Sequence, residues 1–365
     1  MVQPRATKQR NDKPSSVDPI SKELFLEFLK TNVARFERTL KQQLGKEKAL
    51  ITRGGPAVKT TTQALSELCL RGGKRVRPAF VWVGCLSVDP RPNRDALDQA
   101  GAALELLHNY FLVHDDWMDG DLVRRGGKSV HAMLRERFGS IGIGDSAAIL
   151  AGDWGVAVAT KWMATLPIPK HRLGDALTCF SDMQIFAITG QIRDLIATDN
   201  RPEITYEFKT GSYTVSGPLK LGAIIGGAKS KDLETLDSFA LPIGIAFQLK
   251  DDLLGVFSAE SVTGKPFASD LRQGKKTVLL LEAQRRASAA ERRVMDRVIG
   301  RIDTSENDLR RIVRFLDECG AKSAVEKRVE KLHKKALSIL DGSTLRTEGK
   351  DLLRSAATAL ISRES

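Results

Sequence analysis

The chain has 365 residues, 42% of them hydrophobic, enough for a large core in one or two domains. Its formal net charge of +12 fits a nucleic-acid partner, basic helix surfaces or a phosphate pocket, and charge alone does not choose among them. No run of about 18 apolar residues is present, so no membrane span is expected.

In chain order, residues 1–20 open with MVQPRATKQRNDKPSS, which is basic and polar and lacks the apolar middle of a secretory signal; they read as a disordered tail. From Ser21 to about Gln43, Leu24, Phe25, Phe28, Leu29, Val33, Phe36 and Leu40 fall on one helical stripe. Leu104 to Val113 is almost wholly apolar and predicts a buried helix. Gly142-Ile143-Gly144 lacks the rest of a dinucleotide fingerprint and reads as a helix start. Ser146 to Leu166 is rich in small residues, which suits close helix packing. Leu241 to Phe257 predicts another buried helix with Gly244 inside it, and beyond about residue 286 the pattern becomes charged and amphipathic, as on outer helices. Gly54-Gly55-Pro56, Asp89 to Pro92, Gly126-Gly127 and Thr263 to Pro266 read as loops. No repeat or central linker interrupts this, so residues 21–365 are expected to form a single all-α domain. Cys69, Cys85, Cys179 and Cys319 are scattered without a CxxC pair, which suits reduced thiols and a cytoplasmic setting.

The sharpest local signal is the run from Leu107 to Asp119, where an apolar helix ends in Asp115, Asp116 and Asp119. Asp115 and Asp119 lie about 40° apart around a helix axis, on one face. They repel each other, and negative charge is disfavoured at a helix C-terminus, so something positive must compensate. A hard divalent cation suits such oxygen ligands. A lone cluster of this kind fits a solvated helix end equally well. A second pair, Asp251 and Asp252, follows another apolar helix about 135 residues later, with Gly255 where a third aspartate would complete the pattern. Together they suggest two carboxylate walls facing across a helix bundle, with Mg²⁺ between them gripping a diphosphate.

Cations cluster beside glycines at Arg71 to Pro78 (RGGKRVRP), Arg124-Arg125-Gly126, Lys209-Thr210-Gly211, Thr263-Gly264-Lys265-Pro266 and Gly274-Lys275-Lys276. Glycine lets backbone approach an anion, and Lys and Arg give phosphate charge-assisted hydrogen bonds. Singly each fits a solvated turn; no P-loop is present. The combination of metal-seeking carboxylates, phosphate-seeking cations and apolar helices suits ionisation of an apolar diphosphate beside a second one.

These motifs resemble those of the trans-isoprenyl diphosphate synthases, in order and spacing, over about residues 60 to 285: GGKRVRP, LLHNYFLVHDDWMD, LVRRGG, GQIRDL, KTGSYTVSGPLKLGA, FQLKDDLLGVF and TGKPFASDLRQGKKT. The resemblance implies a bundle of long antiparallel helices around a central cavity, in a homodimer. It implies several Mg²⁺ ions, three with substrate bound, held by Asp115, Asp116 and Asp119 from one wall and Asp251 and Asp252 from the other. It assigns Lys74, Arg77, His108 and Arg125 to isopentenyl diphosphate, and Arg124, Lys209, Gln248, Lys265 and Lys275 to the allylic diphosphate. Thr210 and Gln248 would turn oxygen atoms towards an allylic cation. The expected reaction is Mg²⁺-assisted ionisation of dimethylallyl, geranyl or farnesyl diphosphate followed by attack of isopentenyl diphosphate.

Tyr110 and Phe111, five and four positions before Asp115, are placed to form a floor that stops growth at fifteen or twenty carbons; either one is also an ordinary core aromatic. A class I terpene cyclase is disfavoured because a second aspartate pair replaces its usual Asn, Ser or Thr, and Glu motif. A head-to-head synthase is disfavoured for similar reasons. A non-catalytic subunit is disfavoured by the intact first aspartates and Arg124-Arg125. A nucleic-acid-binding protein is disfavoured because the cations sit beside carboxylates that repel a phosphate backbone.

Overall fold

The computed structural model describes residues 19–362 apart from 197, 259–266 and 302. The tail expected over residues 1–20 lies almost wholly outside this range, as do Lys265 and the loop around it. Long helices dominate: α1 (Pro19–Lys46), α2 (Lys48–Arg53), α3 (Gly55–Leu70), α4 (Val76–Leu86), α5 (Arg94–Asp119), α6 (Val130–Phe138), α7 (Ile141–Ala164), α8 (Lys170–Ile196), α9 (Pro202–Tyr206), α10 (Gly217–Gly226) and α11 (Ser230–Phe257). A π-helix, Glu207–Ser216, joins α9 to α10. Among the described residues, the exception to the all-α expectation is a two-stranded hairpin, Val123–Arg124 against Gly127–Lys128.

α5 is the central helix. The Asn93 side chain accepts a hydrogen bond from the Ala96 amide at its start, and Gly120 ends it in the left-handed conformation. Leu97, Leu104, Leu106 and Leu107 are fully buried, each contributing roughly 1.5–3 kcal/mol. α7 packs closely on α5, with Gly152 against Tyr110 and His114 and Gly155 against Leu106, and its small residues Ala148 and Ala151 are fully buried. By length and composition α7 is apolar enough to cross a membrane, and its other face exposes Ile141, Ile143 and Leu150. α1 follows its predicted stripe except at Leu24, which is 45% exposed. The most deeply buried residues of that stripe are Phe25, Phe36 and Leu40, and the Phe25 amide donates to Ser355 of the last helix, Thr347–Ile361, at 2.7 Å.

Gly54-Gly55-Pro56, expected to be a loop, is the junction of α2 and α3, where Pro56 sits in the first turn and needs no amide partner. Lys209-Thr210-Gly211 lies within the π-helix, not in a turn. That helix presses on α11 so closely that a Cβ on Gly244 would overlap the Gly211 backbone. The C-terminal half of α11 belongs to a second apolar cluster with Leu279, Leu309, Leu316 and Val325 of the later helices, which are amphipathic as predicted.

Candidate active site

A cavity of about 450 Å³ opens between α5, α8, the π-helix and α11. Asp115, at the end of α5, and Asp251, at the end of α11, both line it, so the two aspartate pairs do face one space. Each pair divides. Neighbouring residues on a helix point about 100° apart, and where the first aspartate reaches the cavity the second turns into the protein. Asp116 is 0% exposed, and its Oδ1 accepts from Arg124 Nε at 2.7 Å and from Arg124 Nη2. Burial pushes its carboxyl up to about 6 despite that partner, and its Oδ2 has no hydrogen-bond partner. Asp252 is 5% exposed and accepts from the Tyr206 hydroxyl and, at 2.9 Å, from Gln248 Nε2; burial pushes it up to about 7.

The positive compensation demanded by the first cluster is present. Lys209 Nζ stands 3.4 Å from Asp115 and 2.6 Å from Asp194, and Lys275 Nζ stands 3.9 Å from Asp119. For Asp115 burial acts upward, but Lys209, Lys275 and Arg124 hold the carboxyl below its ordinary value. Asp119 is raised by burial and by Asp115 beside it. On the other wall the place of a third aspartate is empty in sequence but filled in space. Asp270 presses its carboxylate against Gly255 so closely that a Cβ there would overlap Oδ2, and Lys275 Nζ lies 3.9 Å from it. Asp270 and Asp194 both sit in motifs quoted above, yet neither carries a helical-face signal that would single it out.

The π-helix turns Lys209, Thr210, Tyr213 and Thr214 to the cavity, because its wider turn puts residues four and five apart on one face. Thr210 Oγ1 donates to Gln248 Oε1 at 2.7 Å, so with Asp252 accepting from Nε2 the Gln248 amide has one orientation. The Val278 amide donates to the Tyr206 oxygen at 3.0 Å and completes this chain of bonds. Arg77 Nη2 donates to Tyr213 Oη at 2.8 Å and Thr214 Oγ1 at 2.9 Å, and His108 Nδ1 meets the same hydroxyl at 2.9 Å. Burial, and then Arg77, Arg125 and Arg124, keep His108 neutral by holding its pKa well below the ordinary value. Tyr213 and Tyr206 were not singled out in the sequence, where they look like core aromatics.

Arg124 and Arg125 ride the hairpin, whose turn has positive φ at Arg125 (51°) and Gly126 (71°). Arg125 Nη1 contacts the Leu68 carbonyl and Asn109 Oδ1, each at 3.4 Å. Lys74 is exposed, and its neighbour Gly73 lies against the Arg125 guanidinium, where a Cβ would come within 3.4 Å of it. Tyr110 and Phe111 line the cavity, their ring centroids 4.9 Å apart, and Phe111 packs edge-on against Tyr213 at 5.1 Å. Among the described residues no group of three His, Cys, Asp or Glu side chains closes on one metal position. Asp115 and Asp119 offer oxygen donors beside Lys209 and Lys275, and Asp251 adds another from α11, which fits Mg²⁺, an ion that takes few carboxylates and completes its shell with water and substrate phosphate.

This helical cavity with opposed carboxylates and a cationic rim defines a class of diphosphate-handling enzymes, and comparison places the chain within it. The polyprenyl synthetase family profile matches residues 58–316. A geranylgeranyl diphosphate synthase of Saccharolobus solfataricus is 33% identical over 69% of this chain and 75% of its own length. A (2E,6E)-farnesyl diphosphate synthase of Mycobacterium bovis is 34% identical over 68% of this chain and 67% of its own. Geranylgeranyl pyrophosphate synthase from Corynebacterium glutamicum, solved with isoprenyl diphosphate and magnesium, superposes with a TM-score of 0.85 at 30% identity, covering 94% of this chain and 99% of that one. The chain belongs to the polyprenyl synthetase family. It is an isoprenyl diphosphate synthase, a prenyltransferase.

Proposed function

We propose that the enzyme condenses isopentenyl diphosphate with dimethylallyl, geranyl or farnesyl diphosphate and releases a short-chain product of fifteen or twenty carbons. The observation that carries this is the pairing of two opposed cavity-facing aspartates, Asp115 and Asp251, with Tyr110 and Phe111 on the same cavity wall. Several Mg²⁺ ions, three with substrate bound, would be held by Asp115, Asp119 and Asp251, and would neutralise the leaving diphosphate. Arg124, Lys209, Lys265 and Lys275 are assigned to the allylic diphosphate; Lys74, Arg77, His108 and Arg125 to isopentenyl diphosphate. Asp116 and Asp252, given above as metal ligands, are better read as buried groups that orient Arg124 and Gln248.

Thr210 and Gln248 have fixed hydroxyl and amide groups at the cavity, placed to steady an allylic cation without carrying a charge of their own. The apolar walls exclude water, which would otherwise trap that cation as an alcohol. The tilted Tyr110–Phe111 pair supports the reading of a floor. Exposed Ile141, Ile143 and Leu150 on α7 and Ile185 and Ile196 on α8 support a homodimer through these helices. The four free cysteines support a reducing, cytoplasmic setting, and the second apolar cluster built on α11 supports one domain over residues 21–365.

The test supplies labelled isopentenyl diphosphate and Mg²⁺ with five-, ten- and fifteen-carbon allylic primers, sizes the dephosphorylated products, and repeats the assay with EDTA. Metal-dependent elongation ending at fifteen or twenty carbons is expected, with longer products from Tyr110→Ala or Phe111→Ala. Longer products from the unaltered enzyme would reject the floor, and no elongation with any primer would reject the reaction.

A further inference from the structure

The cations of RGGKRVRP point to different places. Lys74 is exposed and Arg77 reaches the cavity, but Arg75 between them is buried, its side chain 1% exposed. Its Nη1 donates to Glu105 Oε2 of α5 at 2.6 Å, its Nη2 donates to the Cys69 carbonyl of α3 at 2.8 Å, and Glu37 of α1 lies 3.5 Å from it. The residue takes φ 48° and ψ 35°, left-handed backbone that a side chain with a Cβ disfavours. Such a conformation persists where surrounding contacts over-determine it, and here three helices hold one guanidinium.

We infer that Arg75 and Glu105 are a positioning pair for the isopentenyl diphosphate subsite, fixing the backbone from which Lys74 and Arg77 meet the diphosphate. The inference rests on the assignment of Lys74, Arg77, His108 and Arg125 to that subsite. The backbone of α5 at the same level holds a second cation. Asn109, one turn further along α5, donates to the Glu105 carbonyl at 2.7 Å and presents its Oδ1 to Arg125. One face of α5 therefore receives Arg75 and Arg125 together. Arg75, Arg77 and Arg125 all act on buried His108, and Glu105 places a buried negative charge among them. Lysine at 75 could pair with Glu105 but lacks the fork that reaches the Cys69 carbonyl at the same time.

The experiment measures steady-state kinetics with each substrate varied separately, alongside thermal unfolding, for Arg75→Lys, Glu105→Gln, the double variant and Lys74→Ala. Both single variants are expected to raise KM for isopentenyl diphosphate about tenfold, the scale of losing a residue that orients a ligand-binding group. KM for the allylic substrate should not change, and the double variant should be no worse than the poorer single one, because the two residues act as a unit. Glu37→Gln, which touches only the half-exposed partner, should show a smaller rise in the same constant and keeps the inference testable if Glu105→Gln does not fold. A lowered melting temperature with both KM values unchanged, or equal rises in both, would overturn the pair as a positioning device. If Lys74→Ala leaves KM for isopentenyl diphosphate unchanged, the subsite assignment itself fails, which is distinct from failure in Arg75→Lys alone.

Discussion

The two aspartate pairs end apolar helices in the same way and split in the same way, but their buried members are held by opposite means. On α5 the inward aspartate, Asp116, is gripped by the Arg124 guanidinium. On α11 the inward aspartate, Asp252, is gripped by neutral donors, the Tyr206 hydroxyl and the Gln248 amide. The first wall is thus tied to the cationic rim that would take the allylic diphosphate. The second is tied to the groups that would face the developing carbocation, where a fixed positive charge would oppose ionisation. The same DD pair therefore buries its second member against a cation on one wall and against neutral dipoles on the other, which suits charge compensation at a leaving group and an uncharged surface beside a carbocation.

The largest expected effects lie at the cavity-facing members. Asp115→Ala and Asp251→Ala should each lower kcat by about 10³-fold or more, the upper scale for removing one group aimed at developing charge. The fold should survive in both, since both carboxylates line the cavity outside the apolar core. Elongation rates at saturating Mg²⁺, with circular dichroism as the control for folding, decide this. Full activity in either variant would break the symmetry of the two walls. Asp252→Asn sharpens the comparison, because it keeps the shape and much of the hydrogen bonding and removes only the charge. A loss of about tenfold is expected, the scale for a group that orients another. A loss as deep as that of Asp251→Ala would make Asp252 a metal ligand after all.

Much of this was legible in the sequence and some was not, for physical reasons. The apolar helices, the acidic ends and the cationic loops announce themselves through local periodicity and composition. The split of each pair also follows from helix geometry, but which member faces inward depends on Arg124 eight positions after Asp116 and on Tyr206 forty-six before Asp252. The π-helix is invisible to a pattern of 3.6 residues per turn, so Lys209 and Thr210 read as a turn. Arg75 looks like its neighbours Lys74 and Arg77 because a motif lists residue types and says nothing of which side chain is buried. Asp270 and Gly255 meet only in three dimensions, so Gly255 reads as a missing ligand although the space it leaves is occupied.

Gly255 yields the next prediction. A Cβ at this position displaces the Asp270 carboxylate, and with it one of the two carboxylates beside Lys275, the other being Asp119. Gly255→Ala should raise KM for the allylic substrate by roughly tenfold while leaving that for isopentenyl diphosphate unchanged. Asp270→Asn should reproduce the effect without any steric change. If Gly255→Ala is silent, the second wall functions without Asp270, and the two walls differ in carboxylate number as well as in the means of holding them.

The smallest effect separates the walls by pH. Burial raises Asp252 to about 7, against an ordinary carboxyl near 3.8. A group whose pKa is raised by folding contributes most to stability when protonated, so its contribution is complete below about pH 4 and is lost as pH rises through 7. Asp252→Asn cannot ionise. In the metal-free protein its melting temperature relative to the parent should therefore climb between pH 4 and 7 and level off above. Asp116→Asn should follow the same sign with its plateau nearer pH 6, where Asp116 ionises, but from a lower baseline, because removing this carboxylate strands the Arg124 guanidinium without its buried partner. Melting curves at half-unit steps of pH resolve the two plateaus. A flat difference for Asp252→Asn would mean that Asp252 is already ionised throughout this range. The two neutral donors would then stabilise its charge more effectively than Arg124 stabilises that of Asp116, which ionises only near pH 6, and the contrast between the walls would be reversed.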